Sequence, residues 1–231
     1  MSEQKKPNLS HILIEMAICI FIPSMILKKL SDDASLGTTG ALVLALSLPL
    51  AWGIYEFIKN KKFAFIPALG FISILLTGGI GLLKLDSGYI AIKEAAIPLI
   101  IGIATLVSTK TRFPLVKTFL YNDMVIQVDK VSAVLEEKQA EGTFEKIMRN
   151  ATFMLAGSFF LSATLNYALA KYFITSPSGT AEFNSQLGSM NLWSYPVIVL
   201  PSMVVMMFAM YYIFKNITRI TGLSLEEIMR T

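Results

Sequence analysis

The sequence predicts an all-α polytopic membrane protein with six transmembrane helices, both termini in the cytoplasm, and an amphipathic cytoplasmic helix between the fourth and fifth spans. Three observations carry this expectation. The chain is 54% hydrophobic over 231 residues, with a mean hydropathy of +0.61. Its apolar residues come in runs of about 20, the length a helix needs to cross a hydrocarbon core about 30 Å thick, where only helices and closed barrels satisfy their own backbone. The third is the placement of its 20 Lys and Arg residues, which lie unevenly on the two sides of these runs.

The spans are expected at about 9–27, 38–58, 63–83, 89–109, 151–173 and 193–214 of a single transmembrane domain. The first is closed by Lys28 and Lys29, whose long stems can reach back toward head groups. It follows the charge layout of a signal peptide, but no small-residue cleavage site follows, so a retained first span is expected. The second contains Pro49, which removes one backbone hydrogen bond and predicts a kink. A short turn from Lys84 to Ser87 separates the third and fourth. Trp193 and Tyr195 begin the sixth span, and Tyr211 and Tyr212 close it, as interfacial belts require.

Orientation follows from the positive-inside bias. On one side lie Lys5 and Lys6, then Lys59, Lys61 and Lys62, then seven basic residues between the fourth and fifth spans, then Lys215, Arg219 and Arg230. The other side holds only Lys28, Lys29, Lys84, Lys93 and Lys171. Both ends are therefore expected inside. The formal charge of +4 is scattered at span ends rather than gathered in one patch, so no nucleic-acid partner is expected. Cys19 is the single cysteine, which excludes an intramolecular disulfide framework.

The connection 110–150 is expected to hold an amphipathic helix over 123–137. Met124, Val128, Val131 and Leu135 fall on one helical face, with Asp129, Lys130, Glu136 and Glu137 around it. Its balanced charge favours packing, including against an envelope protein partner, over lying on lipid. Gly142 is expected to end it. Ser224 with Glu227 has the form of a capping box and predicts a short terminal helix.

Five residues are candidates for a polar path or ion pairing: Glu15, His11, Lys93, Glu94 and Asn166. His11, Glu15 and Cys19 recur every four residues along one face of the first span, where ionisable groups are costly and are functional candidates. His11 lies at the cytoplasmic mouth and Glu15 about one turn deeper, where a carboxylate is cheap. Lys93 and Glu94 begin span four. As neighbours they point about 100° apart, so each is expected to take another partner, with Asp86 or Lys84 near. Asn166 and Lys171 are placed in the same half as Lys93. Ser158, Ser162 and Asn166 recur every four residues on span five, a seam suited to helix packing. Gly78, Gly79 and Gly81 suggest a close helix crossing. Met203, Met206, Met207 and Met210 make a stripe read as pliable packing. No catalytic residue, metal site or cofactor is expected, since there is no Walker A loop, G-x-S-x-G elbow or H-E-x-x-H.

Pro49-Leu50-Ala51-Trp52, leading into the basic turn Lys59 to Lys62, and the stretch from Ile92 to Leu120 resemble bacterial inner-membrane proteins related to the intracellular septation protein A family. The resemblance covers about Gly40 to Leu120. It implies a bacterial cytoplasmic-membrane protein linked by name to septation and envelope integrity. It implies no enzymatic activity and hands over no catalytic residues.

The leading expectation is a non-enzymatic protein that organises or maintains the cell envelope within the lipid bilayer, as a homo-oligomer or with an envelope partner. The alternative is a small dimeric transporter or channel using Glu15, Asn166, Lys93 and Glu94; a weaker third is an intramembrane enzyme acting on lipid. Convergence of the polar residues on one cavity favours transport, and their separate closure favours the first.

Overall fold

In a chain this apolar, helices form wherever the backbone must satisfy itself, and the computed structural model is helical along nearly all of what it describes, residues 9–60, 65–110, 115, 116, 121, 123 and 126–229. The first apolar run is Leu9–Met16 (α1), a π-helical turn Ala17–Phe21, and Ile22–Lys29 (α2). Then follow Gly37–Asn60 (α3), Phe65–Leu82 (α4) and Gly88–Ser108 (α5). Val128–Glu137 (α6) and Glu141–Phe173 (α7) come next. Ala181–Ser194 (α8), a second π turn Tyr195–Val199, Leu200–Thr221 (α9) and Leu225–Ile228 (α10) complete the chain.

Among the described residues, four helical stretches are long and apolar enough to cross a membrane: Gly37–Lys59, Gly88–Ser108, Glu141–Phe173 and Ala181–Thr221. The expected crossings at 9–27 and 63–83 are built differently. The first is split by its π turn into two eight-residue helices, and the other is described as an apolar helix over Leu69–Leu82. Large apolar side chains face outward along these helices, among them Ile100 at 64% and Val107 at 57% exposure, which is the surface a lipid solvent covers.

The chain forms two compact units. In residues 1–95 and 165–197, α2 packs against α8 and α3, and α3 packs against α4. Phe183, Leu187, Leu27 and Leu42 are almost fully buried there. The crossing of α2 and α8 is close because α8 has Gly188 at the contact: a Cβ there would lie 2.7 Å from the Ser24 backbone oxygen. Asn184, one turn earlier, donates to the Ser31 hydroxyl at 3.0 Å and to the Thr38 carbonyl at 2.8 Å. The close crossing expected from Gly78, Gly79 and Gly81 is realised at Gly81, where a Cβ would collide with Leu42, and at Gly78 against Leu46, whereas Gly79 faces open space.

The second unit, residues 96–164 and 198–231, has its core where α6, the first turns of α7, the end of α9 and α10 meet. Val131, Leu135, Ile147, Ala151, Ile217 and Ile228 are among its buried residues. Two helices here run beyond the expected spans, and the bounds of the amphipathic helix are corrected. The fifth span is expected at about 151–173, and the helix that contains those residues, α7, begins at Glu141 and runs 33 residues, about 50 Å at the rise of an α-helix. Its first turns carry a stripe, Phe144, Ile147, Met148 and Ala151, buried against α6, while Glu145, Lys146 and Arg149 stay exposed; charge on the outer face hides this helix from a hydropathy reading. The helix that contains the end of the sixth span likewise runs on past 214 to Thr221, with Ile213 and Ile217 inward and Lys215 and Arg219 outward.

The bounds of the amphipathic helix differ from the expectation. It starts at Val128, not 123, because Ile126 pairs with Met229 in an antiparallel bridge and the Gln127 amide donates to the Ile228 carbonyl at 2.8 Å. Met124 lies outside the described residues. Val131 and Leu135 are buried, so the apolar face is covered within the chain. The helix ends through Gln139, at φ 51°, and Gly142 sits inside the first turn of α7 instead of terminating α6.

The capping box is present, with the Ser224 amide donating to Glu227 Oε2 at 2.9 Å and the Glu227 amide to Ser224 Oγ at 3.4 Å. These bonds, with Lys130 at 3.1 Å, hold the Glu227 carboxyl below its usual range. Lys138 donates to the Thr221 carbonyl at 2.6 Å, placing a cation on the carbonyl end of α9, where the helix dipole favours one.

Candidate functional site

Lys93 is the charged side chain most deeply placed in an apolar helix, with a side-chain exposure of 6%. An ammonium in that setting requires partners for all three of its donors, and it has them. Its Nζ donates to Glu94 Oε1 at 2.7 Å, to Thr77 Oγ1 at 2.8 Å and to Ser73 Oγ at 3.1 Å. Thr77 in turn donates to the Ser73 carbonyl at 3.1 Å, which turns its hydroxyl lone pairs toward the cation. The cluster joins α4 to α5, and four residues of two helices supply everything in it.

The expectation that Lys93 and Glu94 take separate partners is therefore wrong. Their Cα–Cβ bonds diverge around the helix, but both side chains are long enough for their ends to curl together. In hydrocarbon the attraction between unlike charges is strong enough to hold that shape. Asp86 serves elsewhere, accepting from the Gly88 amide at 2.7 Å at the start of α5. Lys84 lays its stem against Gly179, where a Cβ would lie 2.9 Å from Lys84 Cγ. Lys171 is found at the beginning of α5, 3.9 Å from where a Gly88 Cβ would be.

Glu15 is exposed on α1 and Cys19 is half-buried in the first π turn. The His11 side chain lies outside the described residues. No group of three His, Cys, Asp or Glu side chains able to hold a metal occurs among the described residues.

Ser158 donates to the Ser202 carbonyl at 3.1 Å, tying α7 to α9. Ser162 and Asn166 are half-buried along the same helix. In the Met stripe, Met203, Met206 and Met207 are 46%, 39% and 65% exposed, while Met210 packs against the core of the second unit.

Sequence reasoning missed Ser73 and Thr77. They are four residues apart in an otherwise apolar helix, hence on one face, and a buried lysine on the next helix requires such a face. No family model, characterised protein or solved structure matches this chain.

Arranged this way, the Lys93 cluster is a closed electrostatic tie. Removing one member leaves a buried charge unpaired, which costs roughly 3–5 kcal/mol, whereas removing both can be neutral. Lys93→Met is expected to lower the thermal unfolding midpoint in detergent strongly, and Lys93→Met with Glu94→Leu to restore most of it. Equal losses in the single and double variants would contradict the tie.

Proposed function

We propose that this chain is a non-enzymatic multi-pass protein of the bacterial cytoplasmic membrane that helps organise or maintain the cell envelope. The observation that carries the reading is the saturation of Lys93: all three of its donors are engaged by its own helices, leaving none to hold a passing solute. Ser158, another polar group with a defined bond between long helices, is likewise closed on a backbone carbonyl. Polar groups that end on one another strengthen helix association in lipid; those of a transport path need vacant valences facing a cavity. The resemblance of Gly40 to Leu120 to the septation protein A relatives supports the same envelope role.

Six crossings with both ends in the cytoplasm belong to this proposal. Besides the four long helices, α4 has 18 residues, which at the α-helical rise is about 27 Å and sufficient for a crossing. The first run has nearly the same length once its two helices and π turn are taken together. Lys130, Lys138, Lys146 and Arg149 beside α6 and the first turns of α7 support a cytoplasmic placement for that core. A homo-oligomer, or an envelope partner meeting the exposed face of α6, fits the role; such a partner has Asp129, Lys130 and Glu136 to read, because the apolar face is covered.

The rival reading, a small dimeric transporter or channel, draws support from one place. Glu15 stands beside a break in a membrane helix, and broken helices with a carboxylate nearby suit ion binding in transporters.

Two tests apply. In cells deleted for the gene, the Lys93→Met, Glu94→Leu chain is expected to restore osmotic and detergent resistance as fully as wild type; failure at equal membrane abundance would favour transport through the pair. In a Cys19→Val background, an impermeant thiol reagent on intact cells is expected to label Asp33→Cys and to spare Glu137→Cys. The reverse pattern contradicts the orientation.

A further inference from the structure

The two π turns are copies of one element. Residues 17–27 read AICIFIPSMIL and residues 195–205 read YPVIVLPSMVV. At a constant offset, Ile20 matches Ile198, Pro23 matches Pro201, Ser24 matches Ser202 and Met25 matches Met203, while Ile22 pairs with Leu200 and Ile26 with Val204. The structure keeps the same register. The π turn occupies Ala17–Phe21 in one copy and Tyr195–Val199 in the other, and in each the α-helix that follows has the proline in its first turn.

The chemistry of the element follows from that register. The Ile22 amide donates to the Ala17 carbonyl, five residues back. The next donor in this wide ladder is residue 23, a proline without an N–H, so the Ile18 carbonyl loses its ladder partner. Pro201 stands in the same relation to the carbonyl of Pro196. The serine after each proline has an idle hydroxyl: Ser24 Oγ and Ser202 Oγ are buried and make no hydrogen bond. Other helical serines in this chain bond back one turn, as Ser189 does to the Ser185 carbonyl and Ser194 to the Met190 carbonyl. Each copy thus combines a widened turn, a carbonyl without its amide and a hydroxyl without a partner, all inside an apolar helix.

We propose that residues 17–24 and 195–202 are a matched pair of hinges at which the first and last long helices bend. A continuous α-helix in lipid is stiff because every carbonyl has its amide; at these two places the ladder is already open, so bending breaks few bonds, and the free serine hydroxyl can satisfy backbone oxygen as the angle changes. The pairing is functional in form, because one hinge would tilt one helix whereas two of the same construction allow coordinated change. In the proposed orientation the first copy runs outward and the second inward. The inference goes beyond the envelope role and does not depend on it.

Spin-label distances in lipid nanodiscs test it, using the full chain with Cys19→Val, which places at the first hinge the residue of the second copy, Val197. Labels at Leu13 and Lys29 bracket one hinge, labels at Trp193 and Met207 the other, and labels at Phe153 and Tyr167 span unbroken helix in α7; all six positions are exposed. A straight helix would set these separations at about 24, 21 and 21 Å. Both hinge pairs are expected to give distributions at least twofold wider than the α7 pair. Pro23→Ala is expected to narrow the first alone and Pro201→Ala the second alone. Hinge pairs as narrow as the α7 pair, a single wide pair, or widths unmoved by either substitution would each overturn the proposal.

Discussion

The rest of the structure depends on one constraint: a polar group inside a hydrocarbon layer must find its partner within the chain. Lys93 meets it with three oxygens from two helices, and its position on α5 thereby fixes the face that α4 presents. Without that requirement, Ser73 and Thr77 would be two unremarked hydroxyls, and the apolar surfaces of α4 and α5 could pair in several registers with little difference in energy, since lipid is as apolar as they are. Asn184 plays a comparable part between α8 and the helices on either side of residue 31. Its two donated bonds, together with the missing side chain of Gly188, fix where α8 lies along α2.

The core formed by α6, α10 and the ends of α7 and α9 follows other rules. There the helices are striped, with charge on the outer face, and hydrophobic burial drives the packing. Lys138 on the carbonyl end of α9 and Glu227 in its capping box are electrostatic details of an aqueous kind. The change of pattern along a single helix, from apolar all round to apolar on one face, marks where α7 and α9 pass from one solvent to the other.

That difference explains what could be read from the sequence. Hydropathy located α3 and α5 to within two residues at either end, because in the membrane mean apolarity is the signal. The same measure stops short of the first turns of α7 and the last turns of α9, because beyond the membrane the signal is periodicity, and Glu145, Arg149 and Arg219 lower the mean without breaking the helix. The start of α6 depended on a long-range pairing of Ile126 with Met229, which no local pattern encodes. The Lys93–Glu94 bond was missed by reasoning from backbone directions alone, which neglects side-chain reach. The π turns leave little trace in a hydropathy profile, although the repeated Pro-Ser-Met was present in the chain to be found by self-comparison.

A scaffold with closed polar ties and hinged outer helices makes a different demand of the bilayer from a transporter: it must not leak. The most direct measurement is flux in sealed proteoliposomes, following protons with an internal pH dye and sodium, potassium, phosphate and amino acids with labelled tracers, for wild type and for the Lys93→Met, Glu94→Leu chain. Rates equal to protein-free vesicles for both chains are predicted. Flux through the wild type that the double substitution abolishes would contradict the account, making the Lys93 cluster a gate or binding site instead of a tie.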